Sequence, residues 1–64
     1  MERCYIFEDE EWGYVGVMAS SEDGARWTLS HNTNANGKAN LADVVDENDP
    51  LFDEILDSYG CDVL

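Results

Sequence analysis

The sequence predicts a single α+β domain over residues 1–64, with a three-stranded antiparallel β-meander followed by two short C-terminal α-helices. Three observations carry that prediction. Two runs rich in β-branched and aromatic residues occupy the first nineteen positions, and a third, alternating run follows. Beyond a polar, asparagine-rich stretch, apolar residues recur at helical spacing. The last such stretch is punctuated by Asp49-Pro50 at its start and Gly60 at its end.

The first run is Arg3 to Glu8 (RCYIFE) and the second is Trp12 to Ala19 (WGYVGVMA), joined by the charged connection Asp9-Glu10-Glu11. The second run is apolar on both faces, with Trp12, Tyr14 and Met18 on one and Val15 and Val17 on the other, which predicts a central strand. Within it, Gly13 and Gly16 mark a bulge or a close approach. Ala25 to Ser30 (ARWTLS) alternates, placing Trp27 and Leu29 on one face, and the preceding Ser20 to Gly24 reads as a turn. Three consecutive strands with short connections give a meander, one face of which packs on helices while the other presents aromatics. His31 to Asn40 has four asparagines, a glycine and no apolar period, which predicts a loop.

After that loop, Leu41, Val44 and Val45 recur at helical spacing, with Asp43, Asp46 and Glu47 on the opposite side and Asn40 as N-cap. Asp49 then caps a second helix with Pro50 at its first position, ending near Tyr59 with Gly60 as C-cap. Leu51, Phe52, Ile55, Leu56 and Tyr59 form its apolar stripe; Asp53, Glu54, Asp57 and Ser58 face outward.

Size and charge bound the function. A chain of 64 residues buries only about 60% of its unfolded surface, so its core is marginal and an enclosed catalytic cavity is hard to sustain. Fifteen Asp and Glu oppose Arg3, Arg26 and Lys38, for a formal net charge of -12. Solubility alone recommends a magnitude of about 2 to 8, so a functional reason for the self-repulsion is expected. Adaptation to high salt is the competing cause, and it predicts loosening at low salt. A hydrophobic fraction of 44% argues against a disordered acidic tail. With neither a signal-like N-terminus nor an apolar run long enough to span a bilayer, a soluble cytoplasmic protein is expected. Repulsion from anionic headgroups argues against a membrane partner. Cys4 and Cys61 are expected to be reduced, partly buried thiols, the alternative being one disulfide closing the domain.

No catalytic constellation is legible. The lone histidine, His31, lies in the asparagine-rich stretch, and no motif surrounds it or either cysteine. The acids cluster on exposed faces, where the pKa separation needed for general acid-base work does not arise. Glu8 to Glu11 and Asp46 to Asp49 lack the spacing of a calcium loop, so no metal or other cofactor is expected. Three basic residues cannot supply the phosphate contacts of a nucleic-acid binder.

The acids instead fall into groups: Glu8, Asp9, Glu10 and Glu11 at the first hairpin; Glu22 and Asp23 at the second; and Asp43, Asp46, Glu47, Asp53, Glu54 and Asp57 on the helices. Helical neighbours four residues apart lie about 6 Å from one another, close to the phosphate spacing along one strand. Asp53 and Asp57 have that spacing, as do Asp43 and Glu47. Twelve charges correspond to roughly 20 Å of duplex. The partner chemistry this predicts is a basic groove.

In size and charge the whole chain resembles the small phage-encoded DNA mimics, among them anti-CRISPR and anti-restriction proteins. EDEE at Glu8 to Glu11, DVVDEND at Asp43 to Asp49 and LFDEILDSYG at Leu51 to Gly60 carry the resemblance. It implies a non-enzymatic inhibitor in the cytoplasm of an infected bacterial host, excluding nucleic acid from a basic nucleic-acid-binding protein such as a CRISPR effector subunit. The alternative is an acidic interaction module that binds a basic partner without imitating DNA.

Overall fold

The computed structural model describes residues 2–32 and 39–64. Its elements are β1 (Arg3–Asp9), β2 (Gly13–Ala19), α1 (Glu22–Asn32), β3 (Asn40–Asp46), α2 (Phe52–Tyr59) and β4 (Asp62–Val63). The four strands form one mixed sheet in the order β3-β1-β2-β4; β1 is antiparallel to both β2 and β3, whereas β4 runs parallel to β2. The α+β class holds, with the meander replaced by this mixed sheet and the two helices separated by a strand.

β1 and β2 form where the β-branched and aromatic runs predict them. Cys4, Tyr5, Ile6 and Phe7 are all buried, because β1 is an interior strand covered on both faces, which removes the polar half of the usual alternation. Tyr5, Phe7, Val15, Val17 and Ala19 pack with Ala25 and Leu29 of α1, Ala39 and Leu41 on one face. Cys4, Ile6 and Val45 pack on the other with Tyr14, Met18, Cys61 and Phe52, Ile55, Leu56 and Tyr59 of α2. A helix therefore covers each face, and the expected exposed aromatic face of the sheet does not exist. β2 is interior as predicted.

Ala25 to Ser30 is helical rather than a third strand. Ser21 caps α1: its Oγ accepts the Gly24 N–H at 3.1 Å, and its carbonyl accepts the Ala25 N–H at 3.0 Å. Glu22 and Asp23 then lie in the first turn, where the helix dipole favours negative charge. The turn-like Ser-Ser-Glu-Asp-Gly stretch is thus a helix start. Trp27 and Leu29 fall on nearly opposite sides, and Leu29, not Trp27, is buried. His31 and Asn32 complete this helix and Asn40 opens β3; the rest of the predicted loop, except Ala39, lies outside the described residues.

The predicted helix from Leu41 to Glu47 is β3 with a turn after it. Its pairing with β1 shifts between Ile6↔Asp43 and Phe7↔Leu41, a bulge that leaves Ala42 without a partner. The extra residue reverses the alternation, so Leu41 joins the α1 face and Val45 the α2 face. This mixed parity produces the apolar spacing that imitates a helical period.

α2 lies within the predicted second helix but begins at Phe52, so Leu51, without a side-chain cap bond, stands where Asp49 was expected to cap and Pro50 to open it. Asp49 Oδ1 accepts the Leu51 N–H at 2.8 Å and the Asp49 carbonyl accepts the Phe52 N–H at 3.0 Å, making Asp49-Pro50 the turn that leads in. At the far end Gly60 adopts φ 66°, and its N–H reaches the Asp57 carbonyl at 3.0 Å while the Cys61 N–H donates to Leu56 at 3.4 Å. That left-handed termination returns the chain to the sheet as β4.

Candidate partner-binding surface

All fifteen carboxylates lie within the described residues, and none is buried. Asp9, Asp43 and Asp46 are half-buried and the other twelve are exposed. The reason lies in the core: both faces of the sheet are filled by apolar side chains, and among the described residues no charged group is buried.

The β1–β2 turn carries Glu8 to Glu11. Gly13, at φ 76°, closes it, and Asp9 Oδ2 accepts the Trp12 N–H at 3.3 Å. Asp9 is thus committed to the turn, whereas Glu8, Glu10 and Glu11 are exposed. Sheet register places this turn, with the Asp9↔Gly13 and Glu8↔Asn40 pairs, at one end. Arg3↔Ala19 and Arg3↔Asp46 lie at the other, where Glu22, Asp23 and the Asp46 to Asp49 turn emerge.

Glu22 Oε2 is 2.9 Å from Arg26 Nε, so its charge is partly matched; Arg26 Nη1 also donates to the Ala39 carbonyl at 2.8 Å, and its guanidinium lies 5.1 Å from the Phe7 ring centre. Asp23 is exposed in the same helical turn. On α2, Asp53, Glu54 and Asp57 are exposed opposite the half-buried Phe52, Ile55, Leu56 and Tyr59, with Asp53 and Asp57 at helical i, i+4 spacing, whereas Leu51, expected in the apolar stripe, precedes the helix and is exposed.

Asp43 is presented differently from the prediction. It lies on β3, not on a helix with Glu47, and Oδ1 accepts the Val44 N–H at 2.8 Å while Oδ2 accepts the Tyr59 hydroxyl at 3.1 Å. That hydrogen bond, followed by burial and the Asp43 and Tyr14 charges, raises the Tyr59 pKa. Asp46 is also engaged, its Oδ1 accepting the Asn48 N–H at 2.9 Å. Asp49, Asp62 and Glu2 are exposed acids beyond the predicted set. Asp49 and Asp62 adjoin the predicted groups, but local spacing does not reveal that the turn and β4 expose them.

The described body measures 31 × 23 × 15 Å with a radius of gyration of 10.6 Å. Duplex DNA of that length carries about 18 charges, against a net charge of -12 here. The carboxylates bracket both ends of the sheet and cover the outer side of α2. They form a diffuse anionic surface, with their nearest regular spacing on α2.

His31 and the two thiols lie on opposite faces of the sheet. His31, on α1, stacks on Trp27 with ring centres 3.9 Å apart, and its Nδ1 lies 2.8 Å from the Trp27 carbonyl. Cys4 and Cys61 belong to the cluster under α2, on the other face of the sheet. No group of three or more His, Cys, Asp or Glu side chains converges among the described residues in a way that could hold a metal ion. Nor is any described helix long and apolar enough to cross a membrane. Tyr14 packs against Tyr59, ring centres 5.1 Å apart, whereas Trp12 and Trp27 are 52% and 63% exposed. The available aromatics thus lie on the hairpin turn and on α1. Set against protein-family models, curated proteins and solved structures, the chain matches none of them.

Proposed function

We propose that this chain is a DNA-mimic inhibitor whose carboxylates occupy the nucleic-acid-binding site of a basic protein, with a CRISPR effector subunit in an infected bacterial cytoplasm as the target. The supporting observation is that twelve of its fifteen carboxylates are exposed and none is buried, on a body 31 Å long. Such a surface attracts a Lys- and Arg-lined channel from a distance and competes with phosphate for the same donors. Glu8, Glu10, Glu11, Glu22, Asp23, Glu47, Asp53, Glu54 and Asp57 are the contacts in this reading. Inhibition is by steric and electrostatic exclusion, without turnover and without a cofactor.

Competition on a purified CRISPR effector complex tests it. Excess duplex or single-stranded DNA is expected to displace the chain. The paired substitutions Asp53→Lys and Asp57→Lys are expected to weaken binding about tenfold or more. Tight binding that DNA cannot displace would exclude mimicry. A second reading, an acidic module gripping a basic partner without imitating DNA, draws support from the exposed Trp12 and Trp27. In that case Trp27→Ala or Trp12→Ala abolishes binding and DNA does not compete.

A further inference from the structure

Gly16 stands in the middle of β2, where a glycine forfeits packing and weakens the strand. Its neighbours explain the missing side chain. A Cβ at this position would lie 2.9 Å from Cys4 Sγ and 3.5 Å from Cys61 Sγ, with Val63 Cγ2 at 3.4 Å. The two sulfurs, 57 positions apart in sequence, therefore converge over one bare stretch of backbone. They arrive from different elements. Cys4 is on interior strand β1, and Cys61 follows the Gly60 cap that turns α2 back toward the sheet.

Both cysteines are free thiols, and they differ in access. Cys4 has no exposed surface, whereas Cys61 is only half-buried. Cys61 Sγ lies 3.7 Å from the Leu56 carbonyl, to which it donates. The Cys61 charge also bears on Cys4, which agrees with their closeness.

We infer that Cys4 and Cys61 are a redox modification site: a small-molecule disulfide of the oxidised-glutathione class converts them to one intramolecular disulfide over Gly16. Cys61, the accessible thiol, loses its proton to solvent, and its thiolate attacks the oxidant. The oxidant S–S bond breaks, a mixed disulfide forms and one glutathione thiolate leaves. Cys4 then gives up its proton, and its thiolate attacks Cys61 Sγ, forming the Cys4–Cys61 bond and expelling the second glutathione thiolate. The two thiolates take up the two protons, so two cysteine thiols are oxidised while one small disulfide is reduced to two thiols. The product fastens the C-terminal segment to β1. Without it that segment is held to the sheet by the two-residue β4 and by the Leu64 N–H donated to the Gly16 carbonyl at 2.8 Å. Because the closed loop spans almost the whole chain, the gain in resistance to unfolding is expected to be large for a single bond.

The test is incubation of the reduced chain with oxidised glutathione, followed by acid quenching and intact mass measurement without reductant. The expected product is monomeric, lighter by two hydrogens, without a glutathione adduct and resistant to alkylation at both cysteines. It should also unfold at a higher urea concentration than the reduced chain. Cys4→Ser is expected to stop at the glutathione adduct on Cys61, and Cys61→Ser to react slowly or not at all. In strong urea, the ratio of closed disulfide to adduct is expected to fall about tenfold or more, because the folded chain supplies the effective concentration. A folded chain that stays fully reduced, stops as a mixed disulfide or yields only linked dimers would overturn the inference.

Discussion

At the scale of the residue, Cys4 ties pH to stability. Burial, then the neighbouring Cys61 charge, push its thiol up to about 11 from an ordinary 9.0, against a hydrogen bond from the Val17 backbone. The folded chain thus holds the thiol proton more tightly than the unfolded chain. Stability from this source is fully present below pH 9.0 and is lost as pH rises through about 11. The expected loss is on the order of 2 kcal/mol, read as a falling urea midpoint in the reduced chain between pH 8 and pH 11. Cys61, raised by burial, and Tyr59, raised first by its bond to Asp43, act in the same direction. Cys4→Ala should therefore flatten the decline without abolishing it. A midpoint that rises across this range would contradict the burial of Cys4.

At the scale of the element, α1 and β3 show what a local pattern conceals. α2 is legible because the spacing of Phe52, Ile55, Leu56 and Tyr59 agrees with the Gly60 cap, while Asp49-Pro50 marks the turn before the helix rather than its cap. In α1, Trp27 and Leu29 alternate by chance. The decisive signals are the Ser21 cap, the acidic first turn and the Ala25–Leu29 spacing. In β3 the bulge at Ala42 scrambles parity, and only the tertiary pairing with β1 resolves it. The acidic surface inherits both errors. Asp53, Glu54 and Asp57 are where α2 predicts them, while Asp43 turns toward Tyr59 because it lies on a strand beneath a helix. Substitution separates the two accounts of α1. Leu29→Ala is expected to cost about 2–5 kcal/mol by opening a cavity, whereas Trp27→Ala should change stability by only about 0.5 kcal/mol, both measured by urea denaturation. A strand with both residues on its buried face would give comparable losses.

At the scale of the whole molecule, the fold packs its buried apolar groups into two thin layers and buries none of the carboxylates. In about 10 mM salt the Debye length is roughly 30 Å, comparable with the 31 Å long axis, so every charge feels the others. In 1 M salt it is about 3 Å, and only immediate neighbours interact. The melting temperature is therefore expected to rise with salt. The two clusters should nevertheless keep the chain folded at the lower concentration, as followed by near-ultraviolet circular dichroism. Loss of the aromatic signal in low salt would instead assign the acidity to salt adaptation.

Among the described residues, the outer edge of β3 is hydrogen-bonded to no further strand of the sheet, since β3 ends the order β3-β1-β2-β4. Repulsion between copies at neutral pH is expected to keep two such edges from zipping together, a protection that should fail as the carboxylates neutralise near the isoelectric point of 4.1. Acid titration followed by light scattering should show reversible self-association close to that pH. Placing a permanent charge beside the edge with Val44→Lys, at a position already exposed, should suppress it. The same carboxylates that favour a basic partner thus serve the chain when it has none, as the guard on an unfinished sheet.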